Sequence, residues 1–158
     1  MQYVERELAP DTKIPIRIGF IKPNGAPAII SLWYTDIDGK IYCATQKTAK
    51  IIQYLQNNPI CGFEIAADKP PYKGSRGEGS AKIIPSKGPE ILGILIKKYL
   101  GDKESTLSKF LHSHSKNEIA IEITPRKIFR YDYSKRMKGI DLWMMMHAPP
   151  VVQKILES

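Results

Sequence analysis

The chain has 158 residues, 42% of them hydrophobic and 25% charged, with a formal charge of +8 at pH 7. That length supports a single domain, residues 1–158, and no apolar run approaches the roughly 20 residues that a membrane span requires. Acidic residues in Met1-Gln2-Tyr3-Val4-Glu5-Arg6-Glu7 stand where an export signal needs an apolar stretch, so a cytoplasmic protein is expected, with no membrane partner.

Ile14, Ile16, Ile18 and Phe20 alternate with Pro15, Arg17, Gly19 and Ile21, a period-two strand that runs into a hairpin turn at Pro23-Asn24-Gly25. Asn24-Gly25 suits the positive φ angles of a tight turn. Ala28 to Tyr34 is then an almost wholly apolar strand, which predicts cover on both faces. Asp36-Ile37-Asp38-Gly39 turns the chain, and Lys40 to Thr45 returns as a third strand. A helix from about Thr48 to Gln56 sets Ile51, Ile52 and Leu55 on one face, and Asn57-Asn58-Pro59 stops it before a fourth strand, Ile60 to Ala66.

Ser75 to Ile84 is strand-like but poor in side chains. Gly74, Gly77 and Gly79 there suggest bulges or a close approach of backbone to a ligand. Pro89 and Glu90 suit the first turn of a helix that continues through Ile91 to Leu100 and ends at Gly101. A short helix is expected from Glu104 to His112. Glu118 to Thr124 alternates as a strand, Pro125 interrupts, and Lys127 to Tyr133 forms the last strand. Residues 134–158 read as a helical tail, its pieces between Ile140 and Ser158 broken at Pro149-Pro150. Short turns favour antiparallel pairing, and six strands that must hide their edges favour a closed or nearly closed barrel, with a sandwich as the alternative.

The segment from Ile41 to Pro59 carries the clearest chemistry. A strand delivers Thr45, Lys47, Thr48 and Lys50 to a helix start, where unpaired backbone N–H groups and the macrodipole favour an anion; this reads as a phosphate cradle, with Thr48 also serving as an N-cap. The basic run Arg126, Lys127, Arg130, Lys135, Arg136 and Lys138, interleaved with Phe129, Tyr131 and Tyr133, raises nucleic acid as a partner. Strand alternation accounts for the same pattern, and no recognition helix or zinc spacing accompanies it, so nucleic acid is disfavoured.

His112-Ser113-His114 lacks supporting ligands for a metal. Cys43 and Cys61 lie in expected strands; they read as two buried thiols, with a cross-strand disulfide as the alternative. The chain shows no nucleophile elbow, no Gly-Lys-Ser/Thr phosphate loop and no dinucleotide fingerprint, which points away from self-contained catalysis and toward a cofactor.

Leu32-Trp33-Tyr34, the Asp38-Gly39 turn, Ile41-Tyr42-Cys43-Ala44-Thr45, Lys47-Thr48-Ala49-Lys50, Asn58-Pro59 and Lys69-Pro70-Pro71-Tyr72-Lys73-Gly74-Ser75-Arg76-Gly77-Glu78-Gly79-Ser80-Ala81 occur in order, closed by Ile123-Thr124-Pro125-Arg126-Lys127-Ile128. In this order and spacing, from about Lys13 to Tyr133, the chain resembles the pyridoxamine 5'-phosphate oxidase-like family of split-barrel flavoproteins. The resemblance implies a homodimer of six-stranded antiparallel split barrels, mainly β with flanking helices, binding FMN, or a deazaflavin in some branches, at the subunit interface. It implies no catalytic side chain and no metal.

Ile30, Ser31, Leu32 and Trp33 would then flank the ring, Thr45, Lys47, Thr48 and Lys50 would take the phosphate, and Tyr72, Lys73 and Arg76 would line the ring edge or a substrate pocket. The oxidase itself carries an Arg-Lys pair where this chain has Ala49-Lys50, and vitamin B6 is not the expected substrate. The function expected is a flavin-dependent oxidoreductase acting on a small molecule or electron donor. The alternatives are a flavin-binding carrier or sensor without turnover, and a basic nucleic-acid-binding barrel.

Overall fold

The computed structural model describes residues 13–137. Seven strands form one antiparallel sheet: β1 (Ile16–Ile21), β2 (Pro27–Leu32), β3 (Thr35–Ile37), β4 (Lys40–Gln46), β5 (Ile60–Ala66), β6 (Lys73–Ile84) and β7 (Glu118–Asp132). Three helices flank it: α1 (Lys50–Asn57), α2 (Gly88–Leu100) and α3 (Thr106–Ser113). The sheet order is β2-β1-β5-β6-β7-β4-β3.

The first and last strands in that order, β2 and β3, are joined in sequence by Trp33 and Tyr34 alone. A two-residue link holds the two ends of the sheet side by side, so the sheet must curl round. Among the described residues no ladder closes the seam, and the result is a mainly β split barrel with seven strands where six were expected. The expected segments Glu118 to Thr124 and Lys127 to Tyr133 merge into one strand, β7, and the seventh strand is the three-residue β3, which the sequence reading absorbed into the Asp36 to Gly39 turn.

The barrel interior follows from alternation. Ile16, Ile18 and Phe20 of β1, Ile41 and Cys43 of β4, Phe63 and Ile65 of β5, and Ile121 and Ile123 of β7 are buried together, and Ile51, Ile52 and Leu55 of α1 complete the core. A second cluster lies on the outside of β4 and β7, where Ile91, Leu95 and Tyr99 of α2 cover Tyr42 and Ala120. Gly88 opens α2 against β7; a Cβ there would strike the carbonyl oxygen of Glu118.

Several expectations change. The Ala28 to Tyr34 strand ends at Leu32, and only one face of it is covered: Ala28, Ile30 and Leu32 pack on the core while Ile29 is 76% exposed, because β2 lies at the end of the sheet order. At the Asn24-Gly25 turn only Gly25 takes a positive φ, and the Asn24 side chain instead accepts the N–H of Ala26. Asp38 and Gly39 are both at positive φ, as a two-residue hairpin between β3 and β4 requires.

Pro125 does not interrupt the last strand. β7 runs unbroken for 15 residues, with a bulge between Glu78 and Gly79 taking up the irregularity at Pro125, beyond the last residue that β4 pairs. The bulge half of the glycine reading therefore holds. Side chains at Gly74, Gly77 or Gly79 would strike the backbone of Ala66 and Ile65, of Lys127, and of Thr124, so these glycines let neighbouring strands approach one another.

Cys43 and Cys61 are free, buried thiols, and burial pushes both up, Cys61 to about 11. No helix among the described residues is long and apolar enough to cross a membrane. The tail pieces expected between Ile140 and Ser158 lie outside the described residues.

Candidate functional site

β4 leads directly into α1. Thr45 pairs with Ile119 of β7, Lys47 donates its backbone N–H to the carbonyl of Asn117 at 2.8 Å, and Ala49 donates to Gln46 at 2.9 Å, which fixes the turn that carries Lys47 and Thr48. α1 starts at Lys50, two residues later than expected. Its N-cap is Ala49, no side chain caps it, and no acidic residue occupies its first turn. Thr48 is therefore not the N-cap; it stands exposed beside Lys47 and Lys50, with Thr45 half-buried behind them. The Ile52 N–H is taken by the Ala49 carbonyl at 3.1 Å, but no side-chain oxygen caps the helix start, and exposed Lys47, Thr48 and Lys50 lie next to it in the chain. An anion fits that donor set.

The four residues expected beside a ring do not share one face. Ile30 and Leu32 turn inward onto the core, Ser31 is exposed on the outer face, and Trp33 stacks on Tyr99 at 4.8 Å with the rings 5° from parallel. Tyr99 anchors this corner further: its hydroxyl donates to the carbonyl of Ile14 at 3.0 Å and lies 3.3 Å from the N–H of Tyr34, while the Lys98 ammonium donates to the carbonyl of Tyr34 at 2.7 Å. Among the described residues the second edge of β2 pairs with no strand.

Tyr72 and Arg76 come together and Lys73 does not join them. They line an open cavity of about 340 Å³ on the outer face with Arg17, Glu64, Tyr131 and Tyr133. Lys73 pairs with Asp132 and stays exposed. The register places Ser31, Arg17, Glu64, Arg76 and Phe129 in one transverse row across β2, β1, β5, β6 and β7, so Ser31 shares the outer face with Arg76, three strand spacings away.

The cradle is elsewhere. Thr45 lies opposite Ile119 and Arg76 opposite Phe129, ten positions apart on β7, which is roughly 30 Å of strand at about 3.3 Å per residue. Within one chain the two groups of expected site residues stand at opposite ends of the longest strand.

Sequence reasoning missed Arg17, Glu64 and the polar cluster behind α2. Glu122, only 8% exposed, accepts from the Tyr42 hydroxyl at 2.7 Å and from the Lys40 ammonium at 3.2 Å. Burial pushes the Glu122 carboxyl up, but the bonds from Tyr42 and Lys40 outweigh it and hold the group below its ordinary value; the same bond, with burial, pushes Tyr42 up to about 12. Glu118, also 8% exposed and next to Asn117, is pushed up by burial. A lone Glu in an alternating strand gives no sign of the helix that covers it; the only legible signal was its position on the face opposite Ile119, Ile121 and Ile123.

No protein-family profile matches the chain, and no curated protein matches it significantly in sequence. Solved structures do match in fold. A conserved hypothetical protein of Mycobacterium tuberculosis superposes with a TM-score of 0.66 at 21% identity, covering 78% of this chain and 79% of that one. An F420 reductase gives 0.65 at 14% identity over 82% of this chain and 98% of the other. A putative pyridoxamine 5'-phosphate oxidase of Listeria innocua gives 0.56 at 15% identity over 73% and 86%. At these identities the likeness is one of fold: the chain has the split-barrel fold of the pyridoxamine 5'-phosphate oxidase-like proteins.

Proposed function

We propose that this split barrel is a flavin-dependent oxidoreductase that holds FMN, with a deazaflavin as the alternative, between the two chains of a homodimer. The observation that carries the reading is the start of α1: an uncapped helix with no acid in its first turn, ringed by Thr45, Lys47, Thr48 and Lys50, on a fold shared with an F420 reductase and a putative pyridoxamine 5'-phosphate oxidase. Thr48 and the first-turn amides would hydrogen-bond phosphate oxygens, and the two lysines would supply mobile point charges. Ala49 stands at the N-cap, so the cradle depends on a hydroxyl, two ammonium groups and backbone donors, with no bidentate guanidinium.

The unpaired edge of β2 from Ile30 to Trp33 would meet the polar rim of the ring, with Trp33 held in place by Tyr99. The flavin supplies the hydride or electron chemistry; the chain binds, orients and excludes water, and no side chain is required as nucleophile. Because the cradle and the Tyr72, Lys73 and Arg76 group lie at opposite ends of β7, one ligand touches both only if the second group comes from a partner chain. That separation supports the shared site, as does the exposed Ile29 on a strand at the end of the sheet.

The test is ligand-selective. Replacing Thr48 and Lys50 together with Ala is expected to weaken FMN by roughly 1.5–3 kcal/mol for each charge-assisted bond lost, and to leave riboflavin, which has no phosphate, nearly unchanged. Fluorescence titration of both ligands reads this directly. Equal weakening of the two would remove the cradle from the account.

A further inference from the structure

The outer-face cavity asks for a ligand of its own. At about 340 Å³ it lies near the lower end of the roughly 300–1,000 Å³ range of small-molecule pockets, a size for one ring and not for a tricyclic flavin with its ribityl chain. Arg17, Glu64 and Arg76 follow one another in a single transverse row, so two guanidinium groups flank one carboxylate. Tyr131 donates its hydroxyl to Glu64 at 3.2 Å, and its ring lies 5.4 Å from the Arg76 guanidinium. Burial, reinforced by Glu64, pushes the Tyr131 hydroxyl up and keeps it a donor. Among the described residues no carboxylate lies within salt-bridge distance of Arg17 or Arg76; on β6 and β7 nearby, Arg126 pairs with Glu78 at 3.5 Å.

We propose that this cavity binds a small planar aromatic carboxylate that also carries a hydroxyl or amino donor. The guanidinium forks of Arg17 and Arg76 match a carboxylate in plane and in donor number. Tyr72 and Tyr131 offer flat apolar walls to the ring. Glu64 keeps acceptor capacity beyond its bond from Tyr131, and Asp68 at the rim adds more, which is what a hydroxyl or amino group on the far side of the ring requires. A fully anionic ligand without a donor would leave those acceptors facing it unpaired. The inference shares Tyr72 and Arg76 with the partner-chain half of the proposed flavin site and competes with that half, while the cradle, ten positions away along β7, is untouched by it.

The experiment titrates the full chain with 4-hydroxybenzoate, with 4-hydroxybenzyl alcohol, which lacks the charge, and with acetate, which lacks the ring, following tyrosine fluorescence and ligand-observed NMR. Saturable binding of 4-hydroxybenzoate alone is expected, weakened about tenfold or more by Arg17→Gln. Arg17 is exposed, and Arg76→Gln provides the same readout should the first variant fold poorly. Binding of the alcohol or of acetate as tightly as the carboxylate, or an affinity indifferent to both arginine variants, would overturn the proposal, as would no binding at all. FMN is titrated into the same samples: Arg17→Gln is expected to leave it unchanged. Loss of FMN binding alone strikes at the cradle, and loss of 4-hydroxybenzoate binding alone strikes at the cavity.

Discussion

Tyr42 and Glu122 face each other across β4 and β7 and form a buried hydrogen bond between two side chains, with Tyr42 under the cover of α2. Tyr42→Phe keeps the ring and removes the donor, leaving Glu122 with Lys40 alone; a loss of about 1–3 kcal/mol at neutral pH is expected from urea unfolding. The pH dependence has a definite sign. Tyr42 is raised above its ordinary value of 10.0, so its contribution is complete below that pH and is lost as pH rises toward about 12. Glu122 is lowered from 4.5, so its contribution is present above that value and is lost as pH falls through the lowered one. In the Phe variant the Glu122 carboxyl rises, and acid unfolding should begin at a higher pH than in the parent chain. An unchanged acid limb would contradict this account of the pair. None of it was visible in sequence, because Tyr42 and Glu122 are 80 residues apart and only the register brings them opposite. The same holds for Arg17 and Glu64. Lys47, Thr48 and Lys50, by contrast, are local, and their gathering at a helix start was legible from spacing alone.

At the scale of elements, α2 carries two glycines whose surroundings predict opposite outcomes. Gly93 sits in the middle of the helix with nothing within 4 Å of where a Cβ would be, so Gly93→Ala is expected to add about 0.5–1 kcal/mol of stability. Gly88 lies against the Glu118 carbonyl, and Gly88→Ala must push the start of α2 off β7, lowering stability. Thermal unfolding of the two variants separates these signs, and a stabilised Gly88→Ala would contradict the packing described. Strand and helix identities were readable wherever period and punctuation agree, as in β1 and at the end of α1, where Asn57-Asn58-Pro59 stops the helix at Asn57. β7 was misread as two strands because Pro125 counts as a breaker in isolation. Its tolerance is local: the extra residue of the bulge, Arg126, follows it on β7, and the β4 ladder has already ended. At Gly74, Gly77 and Gly79 the crowding that the structure shows comes from the adjacent strands, which sequence alone does not separate from crowding by a ligand.

At the scale of the whole molecule, one chain closes its core but leaves an incomplete site. α2 buries Ile91, Leu92, Leu95 and Ile96, with Ile91 and Leu95 against Tyr42 and Ala120 of its own barrel, so the large apolar side chains left exposed among the described residues include Ile29 and Phe129. On the proposed reading, the cradle at the start of α1 and the residues around Arg76 would be brought together by a twofold axis. Size-exclusion chromatography with light scattering and absorbance, after saturation with FMN and removal of the excess, tests this most directly. The account predicts a species of twice the 17.9 kDa chain mass that carries one flavin per chain. A colourless protein that takes up neither FMN nor a deazaflavin would contradict the flavin reading, and a monomer that holds flavin tightly would contradict the shared site.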